Sequence, residues 1–165
     1  MADPAAAVPS FEAVPVDSPL AAGLLHDYFT SRALGFTTHP GGYRIPQPDP
    51  AWFTPPAGVF LVVRSPSGDA VGCGGVRRID DRDGEPCFEV KHVWIEPGSR
   101  GRGWSRLLMA ELESAAQGYG ARWIVLDTNA SLEAAQQLYR TSGYAEIPPY
   151  NDNGNATHWF AKRVS

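Results

Sequence analysis

Two cysteines, no long apolar run and no surplus of positive charge set the first limits on this chain of 165 residues. Cys73 and Cys87 fall inside runs that read as strands, and neither has a His or Cys partner at zinc spacing. Buried free thiols are expected there, not a metal site or a disulfide. His26 and His39 also lack spaced partners, so no metal is expected. A formal net charge of −4 excludes a general basic footprint for nucleic acid. No apolar stretch approaches the roughly 20 residues that cross a bilayer, so no membrane partner is expected. The opening Met-Ala-Asp-Pro-Ala-Ala-Ala-Val-Pro has neither the basic region nor the apolar core of a signal peptide, and a cytoplasmic location is the expectation. Gly-Lys-Ser/Thr is absent, which rules out a nucleoside-triphosphate P-loop.

What is present is organised around Cys87 to Ser114. β-Branched and aromatic residues from Phe88 to Ile95 read as a strand, closed by Pro97 and Gly98. Leu108, Leu112, Ala115, Ala116 and Tyr119 then share one face at helical spacing. Between strand and helix lie Arg100, Gly101, Arg102 and Gly103. Two glycines let the backbone curl until successive N–H groups converge, at the positive end of the helix dipole. Such a place suits a phosphate or diphosphate. A dinucleotide fingerprint would need a third small residue where Arg106 stands.

The rest of the chain reads as one domain over 10–165, preceded by a disordered Ala/Pro-rich segment over 1–9. Phe11 to Val16 reads as an edge strand, and Ser18-Pro19 as the start of a helix carrying Leu20, Leu24, Leu25 and Tyr28. From Gly35 to Pro56 prolines and glycines predict a long irregular loop. Strands are predicted at Val59 to Arg64, Ala70 to Ile79 and Trp123 to Asp127. Asn129 to Ser131 caps a helix with Leu132, Ala135, Leu138 and Tyr139 on one side. Two final strands follow at Tyr144 to Ile147 and Thr157 to Val164. This order predicts an α+β domain around one mostly antiparallel sheet.

The motif Arg100-x-x-Gly103-x-Ser105 follows a strand bearing Glu89 and precedes Leu-Tyr-Arg-Thr-Ser-Gly-Tyr at 138–144. It resembles the acyl-CoA diphosphate loop of the GNAT N-acetyltransferase superfamily, whose pattern is Gln/Arg-x-x-Gly-x-Gly/Ala. Ser105 departs from the last position but is small and adds a hydroxyl, and Trp104 stands where an aliphatic residue is usual. The resemblance runs from about Val59 to Val164. It implies a twisted, mixed sheet of six or seven strands, splayed between the fourth and fifth, with about four helices. The slot takes the pantetheine arm of acetyl-CoA, the co-substrate.

By the same resemblance, the diphosphate is held by the main chain of Arg100, Gly101, Arg102, Gly103, Trp104 and Ser105, with charge from Arg100, Arg102 and Arg106. Main-chain groups around Val93, Trp94 and Ile95 pair with pantetheine and polarise the thioester, and Asn129 hydrogen-bonds a pantetheine amide. Val93 and Ile95, two apart, face the same way. Glu89, six before Ile95, is placed on that face too if the strand is regular, which puts His92 on the opposite one. Glu89 is the expected general base, often through water in such enzymes, and an ion pair with Lys91 or Arg77 is the alternative. Tyr139 matches the tyrosine that donates to the departing sulfur, and a core aromatic is the alternative.

For the acceptor side the candidates are Phe36, Tyr43, Arg44 and Trp52, with Tyr150, Asn151, Asp152, Asn153 and His158. His158 also reads as an ordinary strand residue. The function implied is transfer of an acetyl group directly from acetyl-CoA to a primary amine of a small molecule or amino-acid-like metabolite. Acetylation of a peptide amine and a CoA-binding sensor without turnover are the alternatives. Homodimers are common among such relatives.

Overall fold

A computed structural model describes residues 7–35, 48–129 and 132–164, without the side chains of 33–35. Phe36, Tyr43 and Arg44 lie outside the described residues. The elements are β1 (Ser10–Ala13), α1 (Pro19–Gly35), β2 (Gly58–Arg64), β3 (Ala70–Arg82), β4 (Glu85–Ile95), α2 (Trp104–Gly118), β5 (Trp123–Thr128), α3 (Glu133–Thr141), β6 (Ala145–Ile147) and β7 (His158–Arg163), with short 3-10 turns at Pro50–Phe53 and Pro97–Ser99. They form a seven-stranded sheet in the order β1-β2-β3-β4-β5-β7-β6. All neighbours are antiparallel except β4 and β5. Three α-helices are present among the described residues, where about four were expected. The first strand is shorter than Phe11–Val16, because Pro15 cannot donate to the ladder.

The sheet buries both faces. On one, α2 lays down Trp104, Leu108, Met109, Leu112 and Ala116 against Phe88, Val90, Ile124 and Leu126, joined by Tyr139 of α3. Each fully buried leucine there stabilises the fold by roughly 2–3 kcal/mol. On the other face, α1 and the Pro50–Phe53 turn bring Leu24, Leu25, Phe29 and Phe53 onto Phe60, Cys73 and Trp94. Ser18 caps α1, its Oγ accepting from Ala21 N–H at 3.2 Å. Cys73 and Cys87 are buried free thiols, and burial pushes them up to about 12 and about 11. Among the described residues no helix is long and apolar enough to cross a membrane.

The middle of β4 breaks the regular strand. Cys73 pairs with Trp94 and Gly75 with Lys91, so three steps on β4 match two on β3. The extra residue is His92, at φ +60°. This is a β-bulge, and it reverses the side-chain alternation beyond it. Phe88 and Val90 before the bulge, and Val93 and Ile95 after it, therefore share the α2 face. Glu89 and Ile95 lie on opposite faces, and His92 lies on Glu89's side, both contrary to expectation for a regular strand.

His92 is buried among Tyr28, Phe29 and Phe53, with ring centroids at 5.6, 5.4 and 5.9 Å. Burial first, then Lys91 and Arg77, lowers its pKa to about 3, so the imidazole is neutral in the fold. An unfolded chain takes up that proton near pH 6.5, whereas the folded one resists until about 3. The associated stability is present above pH 6.5 and is lost as pH falls towards 3. Unfolding by urea is expected to lose roughly 1.5 kcal/mol between pH 6.5 and 5. His92→Phe is expected to remove most of that dependence; an unchanged slope would show the imidazole is not the cause.

Candidate active site

The loop ahead of α2 is built as a receptor for negative charge. Gly101 and Gly103 have φ of +80° and +77°, a region costly for side chains with a Cβ. Gly103 is the N-cap of α2, offers no side chain to the free N–H groups, and no acid lies in the first turn. The amides at the positive end of the helix are therefore left for a ligand. A Cβ at Gly103 would meet no protein atom within 4 Å, so open space lies above the peptide. Trp104 is buried against the sheet, which explains why a residue larger than the usual aliphatic fits there.

This loop forms one end of a cavity of about 590 Å³ between β4, α2 and α3. Val93, Trp94, Ile95, Arg100, Gly101, Gly103, Trp104, Ser105, Arg106 and Tyr139 all line it. The cavity exists because β4 and β5 pair only from Cys87–Glu89 to Trp123–Val125 and then part. Beyond that point the β5-facing edge of β4 is unpaired. Arg100 Nε donates to the Ile95 carbonyl at 2.8 Å, and Arg32 Nη2 reaches the Val93 carbonyl at 3.5 Å. In a strand the N–H and C=O of one residue point to the same side, so the Val93 and Ile95 N–H groups also face the gap. A linear amide-bearing ligand finds there the hydrogen-bonding edge of a missing strand.

Other expected residues lie differently. Arg102 is exposed, 5.3 Å from the Trp104 ring centroid, and Arg106 donates to Thr141 and Ser142 at the base of α3. Asn129 is not in the cavity wall; its Nδ2 donates to the Asn155 carbonyl at 3.1 Å and its own carbonyl accepts from Gln136 at 3.2 Å. It ties the end of β5 to the β6–β7 loop and to α3. The N-cap of α3 is Leu132, without a side-chain cap.

Glu89 is 1% exposed and also outside the cavity wall. Its Oε1 accepts from Arg77 Nε at 3.0 Å and lies 3.7 Å from Lys91 Nζ. Its Oε2 accepts from the Tyr150 hydroxyl at 2.7 Å and from the Asn151 amide at 3.4 Å. The ion pair weighed as the alternative for Glu89 is therefore present. Burial, then the Glu89 charge, holds the Tyr150 phenol well above its ordinary pKa. Asn151 also donates to Asp127 at 2.8 Å and accepts from the Trp159 indole at 2.9 Å. Exposed Trp52 lies over the Arg77 guanidinium, 4.4 Å from its ring centroid. Trp52, Tyr150 and Asn151 thus gather around Glu89. His158 does not join them; it pairs with Glu146 at 2.8 Å across β6 and β7.

Tyr139 belongs to the cavity rather than to the cluster around Glu89. It is buried against Tyr144 and Phe160 yet lines the cavity. Burial is the main cause that raises its pKa to about 12, opposed by Arg32 and assisted by Tyr28 and Asp127. The phenol keeps its proton at neutral pH and can donate a hydrogen bond to a charge developing in the gap.

Sequence reasoning missed Arg32 and Asp127. Arg32 lies in the last turn of α1, where it resembles any helix-ending cation. Asp127 looks like a strand terminus; it lies 3.6 Å from Lys91, where the Glu89–Val125 register continues by two residues. A polar residue at the end of an apolar strand facing a predicted split was the one available signal.

A sheet split beside a glycine-built helix N-terminus gives this domain an open strand edge that leads to a set of uncapped amides. The chain belongs to the Acetyltransferase (GNAT) family, whose model matches residues 24–144. It is 35% identical over 101 residues to an uncharacterized N-acetyltransferase of Schizosaccharomyces pombe, covering 61% of this chain and 60% of that protein. It is 35% identical over 95 residues to the IAA acetyltransferase of Azospirillum brasilense, covering 58% of this chain and 60% of that protein. These matches span less than two thirds of either relative. A GNAT-family acetyltransferase structure from Staphylococcus aureus superposes with a TM-score of 0.75 at 17% identity, over 94% of this chain and 100% of the other.

Proposed function

We propose that the protein transfers the acetyl group of acetyl-CoA to a primary amine of a small, amino-acid-like molecule. The observation that carries this reading is the cavity running from the Gly101–Ser105 amides along the open edge of β4 to Tyr139. In the proposed reaction both substrates are bound together. The amine nitrogen attacks the thioester carbon, whose oxygen receives a hydrogen bond from main-chain N–H around Val93. The C–N bond forms, the C–S bond breaks, and the thiolate leaves against the Tyr139 hydroxyl. The amine's surplus proton passes through water to Glu89, or directly to bulk solvent. Trp52, Tyr150 and Asn151 surround the approach to Glu89, which supports an acceptor arriving from that side. The IAA acetyltransferase among the relatives supports a small acceptor rather than a peptide.

A thiol-release assay over amines, amino acids and short peptides tests the reading. CoA binding with no transfer to any of them would leave a sensor. Glu89→Gln decides the route of the proton: a base acting through water predicts a fall of ~10²-fold in kcat at pH 7 and loss of the acidic limb of the pH–rate profile. An unchanged profile assigns the proton to solvent.

A further inference from the structure

Arg32 carries a charge for which the reaction above has no use. It lies in the last turn of α1, with its guanidinium 4.9 Å from the Tyr28 ring centroid. Its one hydrogen bond among the described residues, to the Val93 carbonyl, is long at 3.5 Å. Among the described residues no carboxylate lies within ion-pair distance of it. A planar fork with five N–H donors is thus left almost unused on the wall of the cavity.

The position of Arg32 separates it from the phosphate end. That end has its own cations, Arg100 and Arg106. Arg100 holds the Ile95 carbonyl and Arg32 the Val93 carbonyl, two residues or roughly 7 Å further along the strand. Arg32 is therefore placed beside the main chain that would face the thioester. Tyr139 lies within the fields of both Arg32 and Asp127, which act on its phenol with opposite signs. Asp127 itself is engaged by Lys91 and Asn151 and does not line the cavity. The Arg32 guanidinium, on the wall with Tyr139, complements a carboxylate.

We propose that Arg32 anchors a carboxylate of the acceptor, so that the amine acetylated belongs to an amino acid or a close analogue. The carboxylate meets the guanidinium as a two-pronged ion pair, and the amino group is turned towards the thioester. This rests on the transferase reading and narrows its substrate.

The test pairs free α-amino acids with their carboxamides, using protein saturated with acetyl-CoA. The carboxamide's amine is less basic and more often neutral, so a preference for the acid cannot come from amine reactivity. The wild type is expected to favour the acid at least tenfold in kcat/KM. Arg32→Gln is expected to erase that preference, and Arg32→Lys to retain part of it, with melting temperature and CoA affinity unchanged in both. Equal use of acid and amide by the wild type, or the same preference in Arg32→Gln, overturns the proposal. So does a tenfold loss of CoA affinity in Arg32→Gln, which would give the guanidinium to the co-substrate. Calorimetric titration of the same pairs into the CoA-bound protein reads the anchor without turnover. Acid binding that depends on Arg32 without thiol release supports the anchor and sinks the transferase reading. Thiol release without carboxylate preference does the reverse, and failure of every acid to bind also overturns the anchor.

Discussion

Gly103→Val is expected to raise the Kd for CoA at least 100-fold, about 2.7 kcal/mol, while the protein remains folded. The two effects separate because of where the new atoms go. Gly103 sits at φ +77°, where a residue with a Cβ is strained by roughly 1–2 kcal/mol, a cost that lowers the melting temperature by a few degrees. Apart from its chain neighbours, no described residue lies within 4 Å of the added Cβ, so packing there is untouched. The valine instead projects above the amides of the α2 N-terminus, over which the diphosphate would have to come within about 3 Å. Isothermal titration with CoA, beside a melting curve without ligand, reads both terms. Wild-type affinity would reduce the loop to a helix cap and remove the support for the cavity as a CoA site.

Tyr139→Phe is expected to lower kcat by about 10- to 100-fold with little change in CoA affinity. The ring stays, so its contacts with Tyr144 and Phe160 are kept and the fold is undisturbed. What is lost is one hydrogen bond to a charged atom, about 1.5–3 kcal/mol. The raised phenol narrows its role. With its pKa at about 12, against roughly 8.5 for a thiol, full proton transfer to the sulfur is uphill by several kcal/mol. Tyr139 is thus expected to hold the leaving thiolate by hydrogen bonding. Single-turnover rates measured at saturating amine test this without interference from product release. Undiminished turnover would remove Tyr139 from the chemistry.

The glycine turn ahead of α2 was legible because its requirement is local. Gly101 and Gly103 must curl the chain and α2 must begin at once, and neither condition needs a distant partner. Tyr139 was legible through its motif, and its place on the cavity wall follows from the apolar face of α3. Glu89 was found but misplaced, because strand parity assumes a regular pleat. One residue, His92, at positive φ turns every later side chain over.

Local spacing thus determined the elements, the mostly antiparallel sheet, the buried thiols and the glycine turn ahead of α2, since each follows from backbone preference or from apolar period along a few residues. Tertiary structure alone decided the bulge in β4, the tie between Glu89 and Arg77, Lys91 and Tyr150, and the place of Arg32 on the wall that holds Tyr139. Those are pairings between residues up to about 100 positions apart, and no periodicity records them. They exist only where burial removes water and leaves each charge to find, or lack, a partner.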